Sequence, residues 1–368
     1  MVYCVRSIAQ RNMRFQLSVV IHIVPLLDFD LRDERAITER LREAVAATLG
    51  SQPGSSVVLG IGDDCAIYRP RGSADDLLFT SDMFIEGVHF LRATHKAAVA
   101  GRKALVRSLS DIAAMGGTPR FCLVSLCVPP WARAKWVDEF FDGILDLGAK
   151  TGTVLAGGDL SHGETLACDV TVCGAVPRGT ALRRDGARPG HGIYVSGVLG
   201  GSVLGLETKK GKARLDSNQR KARLDLNQRE ALRRHLLPEP RLALGSFLRE
   251  KMRATSAIDL SDGLSLDLRR LCLASGVEAE IVAPPRFPGA SPDQALHGGE
   301  EYELLFTVSA GTKVPERFEG LPLTRLGSVL RGNAGAVRLE GKPLAALGYD
   351  HFAPGGSPAA GSKPRPTK

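Results

Sequence analysis

The amino-acid sequence predicts an α/β (α+β) protein of two domains, and three observations carry that expectation. The chain has 368 residues, enough for about two domains at roughly 150 residues each. Short apolar runs bounded by Gly, Pro and Asp alternate with longer segments of helical period. A Pro177-Arg178-Gly179 break falls near the middle. Hydrophobic residues make up 43% and charged residues 24%, which excludes wholesale disorder and collagen-like or coiled-coil architectures. The longest apolar run, Leu17 to Leu27, is interrupted by Ser18, His22 and Pro25 and falls short of the ~20 residues that span a bilayer. The seven cysteines form no C-x-x-C pair, so neither a zinc site nor a disulfide framework is expected. A reducing cytoplasm is the expected compartment.

Residues 1–33 read as an N-terminal extension, with Arg6, Arg11 and Arg14 before the first acid at Asp28 and an alternative start at Met13. Residues 34–178 read as the first domain. Ile37, Leu41, Ala44 and Val45 recur on one helical face. Val57-Val58-Leu59 is a strand running into Gly60-Ile61-Gly62-Asp63-Asp64, and Leu77-Leu78-Phe79 is another running into Thr80-Ser81-Asp82. A helix over 97–115 is followed by a strand from Phe121 to Val128, stopped by Pro129-Pro130. A helix over 131–149 leads to the strand Val154-Leu155-Ala156, then Gly157-Gly158-Asp159, and a last strand from Cys168 to Val176.

Residues 179–352 read as the second domain. Gly192 to Gly197 is a strand before the glycine-rich Leu199-Gly200-Gly201-Ser202. Ala257-Ile258-Asp259-Leu260-Ser261-Asp262-Gly263 precedes a helix through Leu273, and Gly298-Gly299-Glu300-Glu301-Tyr302-Glu303 precedes the strand Leu304 to Val308. From 353 to 368 the chain is rich in Gly, Pro, Ala and Ser, which predicts a disordered tail.

The net charge of +8 raises a nucleic-acid hypothesis that its distribution argues against. Ten Lys/Arg and four Asp/Glu lie in 207–234, and three more basic residues lie in the tail, leaving the body nearly neutral. The stretch 207–234 has no aromatic residue on which a base could stack. It holds a tandem duplication, Lys212 to Arg220 followed by Lys221 to Arg229, and reads as a solvated surface insertion.

One chemical pattern recurs. Apolar runs end in or near aspartate at Asp64, Asp82, Asp159 and Asp259, with Asp111 and Asp262 added from helical segments. Aspartate is disfavoured inside strands, whereas strand ends open into ligand crevices in α/β folds. Ionised carboxylates converging on one cleft would repel each other. Hard divalent cations such as Mg²⁺, shared with substrate phosphates, would relieve that repulsion. No Walker A or GxGxxG motif is present, so a nucleotide would bind by another route.

Gly60 to Ala66, Thr80-Ser81-Asp82 with Glu86 to Phe90, Leu109 to Gly116, Gly157-Gly158-Asp159, Ile258 to Leu264, Gly298-Gly299-Glu300 and Gly348-Tyr349-Asp350-His351-Phe352 together resemble the thiamine-monophosphate kinase family. That family belongs to the aminoimidazole ribonucleotide synthetase-like (PurM-like) superfamily. The resemblance covers about residues 34–352. It implies phosphorylation of thiamine monophosphate to thiamine diphosphate with ATP and Mg²⁺. It also implies a homodimer built on the N-terminal sheet and a C-terminal domain with a mixed sheet. Carried over by motif, Asp64, Thr80, Ser81, Asp82, Asp111, Asp159, Asp259 and Asp262 would surround magnesium. Gly158, Asp159, Arg184 and Ser261 would contact ATP, and His89, Glu300 and Tyr349 the thiamine phosphate.

The chemistry fits independently. A phosphate monoester with its second pKa near ~6 is largely dianionic at neutral pH and needs little general-base help. It needs in-line positioning and charge neutralisation. Direct transfer without an enzyme nucleophile is expected. The departures are Glu301, where relatives usually carry Asp, and Leu160-Ser161-His162, where hydroxyl-bearing residues are common. Selenophosphate synthetase and hydrogenase-maturation enzymes of the same superfamily are the alternatives, together with a non-catalytic nucleotide or RNA binder. Neither membrane nor nucleic acid is an expected partner.

Overall fold

The computed structural model describes residues 34–49, 56–214 and 224–351. The predicted extension 1–33, the tail 353–368 and part of the duplicated block lie outside the described residues.

The first half builds a six-stranded sheet. Its strands are β1 (Val57–Leu59), β2 (Ala66–Tyr68), β3 (Asp75–Ile85), β4 (Thr118–Val128), β5 (Val154–His162) and β6 (Ala167–Pro177), in the order β1-β2-β3-β6-β4-β5. Helices α1 (Glu34–Leu49), α2 (Ala97–Ala114) and α3 (Ala134–Thr151) accompany it. The period of two is clear in β3. Leu78, Thr80 and Phe84 turn inward, whereas Ser81 and Met83 turn outward. Helix α2 is buried on almost every side, because the sheet, α3 and the second half each cover part of it. A Cβ at Gly101 would lie 1.8 Å from the Phe140 carbonyl oxygen, and one at Gly143 would lie 1.9 Å from that of Ala98. This pair of glycines lets α2 and α3 cross backbone against backbone.

The second half builds an eight-stranded mixed sheet from β7 (Gly192–Ser196), β8 (Ser256–Asp259), β9 (Glu278–Ile281), β10 (Leu304–Val308), β11 (Arg317–Phe318), β12 (Leu321–Leu330), β13 (Val337–Leu339) and β14 (Lys342–Pro343). The order is β14-β13-β9-β12-β7-β10-β8, with β11 paired to β12. Among the described strands of this sheet, only β13 and β9 pair in parallel. The helices are α4 (Gly201–Arg214), α5 (Leu226–Leu236), α6 (Leu242–Phe247), α7 (Leu264–Ser275) and α8 (Pro292–His297). Ala113 and Ala114 of α2 pack with Leu182, Leu244, Leu248 and Phe306, so one apolar cluster joins the halves.

Several sequence expectations need correction. Helix α1 forms, but Leu41 and Val45 on its apolar face are exposed rather than buried. Asp82 and Asp159 lie within β3 and β5, not at strand ends. The stretch 207–234 is not simply a solvated insertion, because α5 belongs to the core. Ala231 and His235 are buried there, the Arg234 guanidinium lies 5.1 Å from the Phe287 ring centre, and Gln294 donates to Glu207 at 2.7 Å.

Candidate active site

A cleft of about 810 Å³ opens between the two halves. Three carboxylates meet at its floor. Asp64 comes from the turn before β2, Asp111 from the last turn of α2, and Asp259 from the end of β8. Their oxygens all lie within 4.8 Å of one another. Thr80, on the inward face of β3, donates to Asp111, and Ser110 donates to Asp259 at 2.6 Å. Asp82 shares the inward face with Thr80 and accepts from Ser108 at 3.1 Å. Burial, and then the neighbouring carboxylates, push the Asp111 and Asp259 carboxyls well above the usual range. Burial and Asp64 push Asp63 up to about 7. Oxygen-only donors whose negative charges oppose one another suit a hard divalent cation.

Arg184 grips the same cluster from the linker between the sheets. Its Nη2 donates to Asp64 at 2.6 Å, its Nε to Asp64 at 3.2 Å, and its backbone N–H to Asp63 at 3.1 Å. Asp262 lies further along the cleft wall, ion-paired to Arg270, with Ser261 beside it.

His89, Glu300 and Tyr349 line the same cleft, and the Tyr349 N–H donates to the Asp262 carbonyl at 2.9 Å. His89 Nδ1 accepts the Ile85 N–H at 2.9 Å, which leaves the proton on Nε2. Burial, and then Arg107, lower the His89 pKa to about 3, so the ring is neutral. Glu300 sits at φ 61° and Tyr302 at φ 51°, uncommon for non-glycine residues. Their N–H groups donate to the Ser261 and Leu260 carbonyls at 2.7 and 2.9 Å, which fixes the strained loop. Lys103, fully buried on α2, meets Glu300 at 2.8 Å. Burial opposes the Glu300 charge, but Lys103, together with Arg107, holds the carboxyl below its usual range. Glu301 turns away and accepts the N–H groups of Gly200 and Ser202 at 2.9 and 3.0 Å, tying the loop to the start of α4.

The structure therefore brings together Asp64, Thr80, Asp82, Asp111 and Asp259, with Arg184 bonded to Asp64 and with Ser261, Asp262, His89, Glu300 and Tyr349 lining the cleft. It does not bring in Ser81 or Asp159. Strand register puts both on the outer face of the sheet. Ser81 donates to Asp169 at 2.8 Å, and Asp159 accepts from Ser161 at 3.2 Å. Gly158 has a reason local to the sheet: with φ 149°, a Cβ there would lie 1.8 Å from the Val124 carbonyl oxygen of β4. Sequence reasoning missed Asp63, Lys103, Arg107 and Tyr302. A signal existed for two of them: Lys103, Arg107 and Asp111 recur every four residues in one helix, so they share a face.

Comparison with known proteins shows the family. Residues 62–176 match the family described as AIR synthase related protein, N-terminal domain. Fold and cleft together thus define an enzyme of the aminoimidazole ribonucleotide synthetase-like class. Within that class, the thiamine-monophosphate kinase of Escherichia coli (strain K12) is 37% identical over 314 residues, 81% of this chain and 93% of that protein. AaThiL complexed with AMPPCP and TMP superposes with a TM-score of 0.73 at 31% identity, covering 87% of this chain and 99% of that one. The thiamine-monophosphate kinase of Stenotrophomonas maltophilia K279a superposes at 0.65 with 35% identity, covering 87% and 98%. The chain belongs to the thiamine-monophosphate kinase family.

Proposed function

We propose that this chain transfers the γ-phosphoryl group of ATP to thiamine monophosphate, giving ADP and thiamine diphosphate, by direct in-line attack of the acceptor phosphate. The observation that carries this reading is the meeting of Asp64, Asp111 and Asp259, drawn from both halves of the molecule, on the floor of one cleft. The substrates follow the relatives: a kinase named for thiamine monophosphate, and a structure complexed with AMPPCP and TMP.

Asp64, Asp111 and Asp259, with Asp82 and Thr80 beside them, would hold Mg²⁺, which when bound supplies positive charge between two polyanions. Arg184, bonded to Asp64, would add a cation for ATP, and Ser261 and Asp262 line the cleft. The ring N–H of His89 and the carboxylate of Glu300 serve the acceptor, and Glu300 faces a cationic thiazolium. The attacking oxygen belongs to a near-dianion, so no side chain must remove a proton and no phosphoenzyme forms.

The domain limits proposed are 34–178 and 179–352, since the linker leaving β6 separates the two sheets. A homodimer through the first sheet is supported by exposed Tyr68, Met83, Leu123 and Val154 on its outward face. A cytoplasmic location is proposed because none of the described cysteines forms a disulfide, and no described helix is long and apolar enough to cross a membrane.

The test is direct. Purified protein with ATP and thiamine monophosphate should form thiamine diphosphate, and EDTA should stop it. Absence of product from folded protein with excess Mg²⁺ would overturn the assignment.

A further inference from the structure

We propose that Arg107 binds the acceptor phosphate and thereby selects phosphorylated thiamine over thiamine itself. This rests on the reading above that the cleft binds thiamine monophosphate. Arg107 stands on α2 one turn before Asp111, so its guanidinium and that carboxylate project from one helix face into the cleft. The side chain is only 16% exposed, yet it is poorly satisfied. Its Nε has no hydrogen-bond partner among the described residues. Its Nη1 lies 3.4 Å from the Tyr302 hydroxyl and its Nη2 lies 3.6 Å from Asp82, at or beyond the limit of a hydrogen bond. A buried guanidinium with five donors and one marginal bond is costly unless a ligand completes it.

The missing ligand is an anion, and the geometry says which. Arg184 is already engaged by Asp64. Arg107 stands between Asp82 and Tyr302, in the cleft that Glu300 and His89 also line. A cationic thiazolium cannot be its partner. The dianionic phosphate on the same molecule can, with two oxygens accepting from the planar fork. The charge left on the acceptor is thereby offset without neutralising Glu300, which Lys103 already balances.

The experiment uses full-length wild-type, Arg107→Met and Arg107→Lys proteins, with thermal melting to confirm folding. KM is measured for thiamine monophosphate and for ATP, and Ki for unphosphorylated thiamine as a competitive inhibitor. Loss of a charge-assisted pair should raise KM for thiamine monophosphate about 10- to 100-fold in Arg107→Met. Arg107→Lys should lie between it and wild type, while KM for ATP and Ki for thiamine stay within about twofold. An unchanged KM for thiamine monophosphate, or equal weakening of thiamine, its phosphate and ATP, overturns the proposal while leaving the kinase reading intact. A wild-type protein that makes no thiamine diphosphate overturns both.

Discussion

Ser110, near the C-terminal end of α2, donates a 2.6 Å hydrogen bond to Asp259 at the end of β8. The bond joins the two halves at the cluster of Asp64, Asp111 and Asp259. Burial and Asp64 hold the Asp259 carboxyl well above its usual pKa, so the folded protein binds more protons there than the unfolded chain does. The sign follows: stability falls as pH rises above the ordinary carboxyl range, and the penalty is complete above the raised pKa. Asp259→Asn removes that penalty. At pH 8 in EDTA its melting temperature should equal or exceed wild type, while turnover falls about 100-fold or more. A variant that melts earlier in EDTA would mean that Asp259 is a structural ion, not a carboxylate waiting for a cation.

Arg184 should show the opposite behaviour. It is the counterion of fully buried Asp64. Breaking one side of a buried pair typically costs about 3–5 kcal/mol. Arg184→Met should therefore melt well below wild type in EDTA and regain much of the loss in excess Mg²⁺, with a raised KM for ATP. Equal losses with and without Mg²⁺ would show that Asp64 is not among the cation's ligands.

The cleft was legible in the sequence wherever acids recur at the ends of apolar runs. Asp64 and Asp259 were readable in that way, and Asp111 followed from its place late in a helix. Register was not readable. A period-two strand puts Thr80 and Asp82 on one face and Ser81 on the other, and only pairing with β6 says which face meets α2. Asp159 was lost for the same reason. Lys103 escaped because a lysine in a helix is ordinarily solvated. Its burial depends on Glu300, 197 residues away along the chain.

That pair makes a clean cycle. Lys103→Met alone leaves Glu300 without its cation in a cleft wall and should lower the melting temperature and raise KM for thiamine monophosphate. Glu300→Gln added to it should restore much of the melting temperature, since two neutral groups replace the unpaired charge. Turnover should not return. Additive melting losses would show that the two side chains do not depend on each other.

His89 supplies a pH test. Its folded pKa is about 3, set first by burial, so the unfolded chain takes up a proton between pH 6.5 and 3 that the folded protein refuses. Its contribution to stability is complete above pH 6.5 and is lost as pH falls through that window. In catalysis it stays neutral. The acid limb of kcat/KM should therefore track the second ionisation of the acceptor phosphate near ~6. His89→Asn should lower the profile about tenfold without moving the limb. A limb that vanishes in His89→Asn would make the imidazole the titrating group.

The duplicated block offers the last test. Helix α5 starts at its own capping box: Gln228 N–H donates to Asp225 at 2.7 Å, and Asp225 N–H donates to Gln228 at 3.2 Å. The first copy repeats that pattern as Asp216 and Gln219, so either copy encodes the same helix start. Deleting residues 212–220 joins Gly211 to Lys221 and restores Lys-Ala-Arg at the end of α4, because the second copy opens with the same three residues. Among the described residues, Gly205 packs against Ala231 and His235, and the deletion keeps all three. Turnover should stay within about threefold and melting within a few degrees, as for a surface change. Gly205→Val in the same helix should melt far earlier, because a Cβ there would lie 2.2 Å from the Ala231 carbonyl oxygen. A deletion variant as damaged as Gly205→Val would show that the second copy has a role in the fold that the α4–α5 packing does not contain.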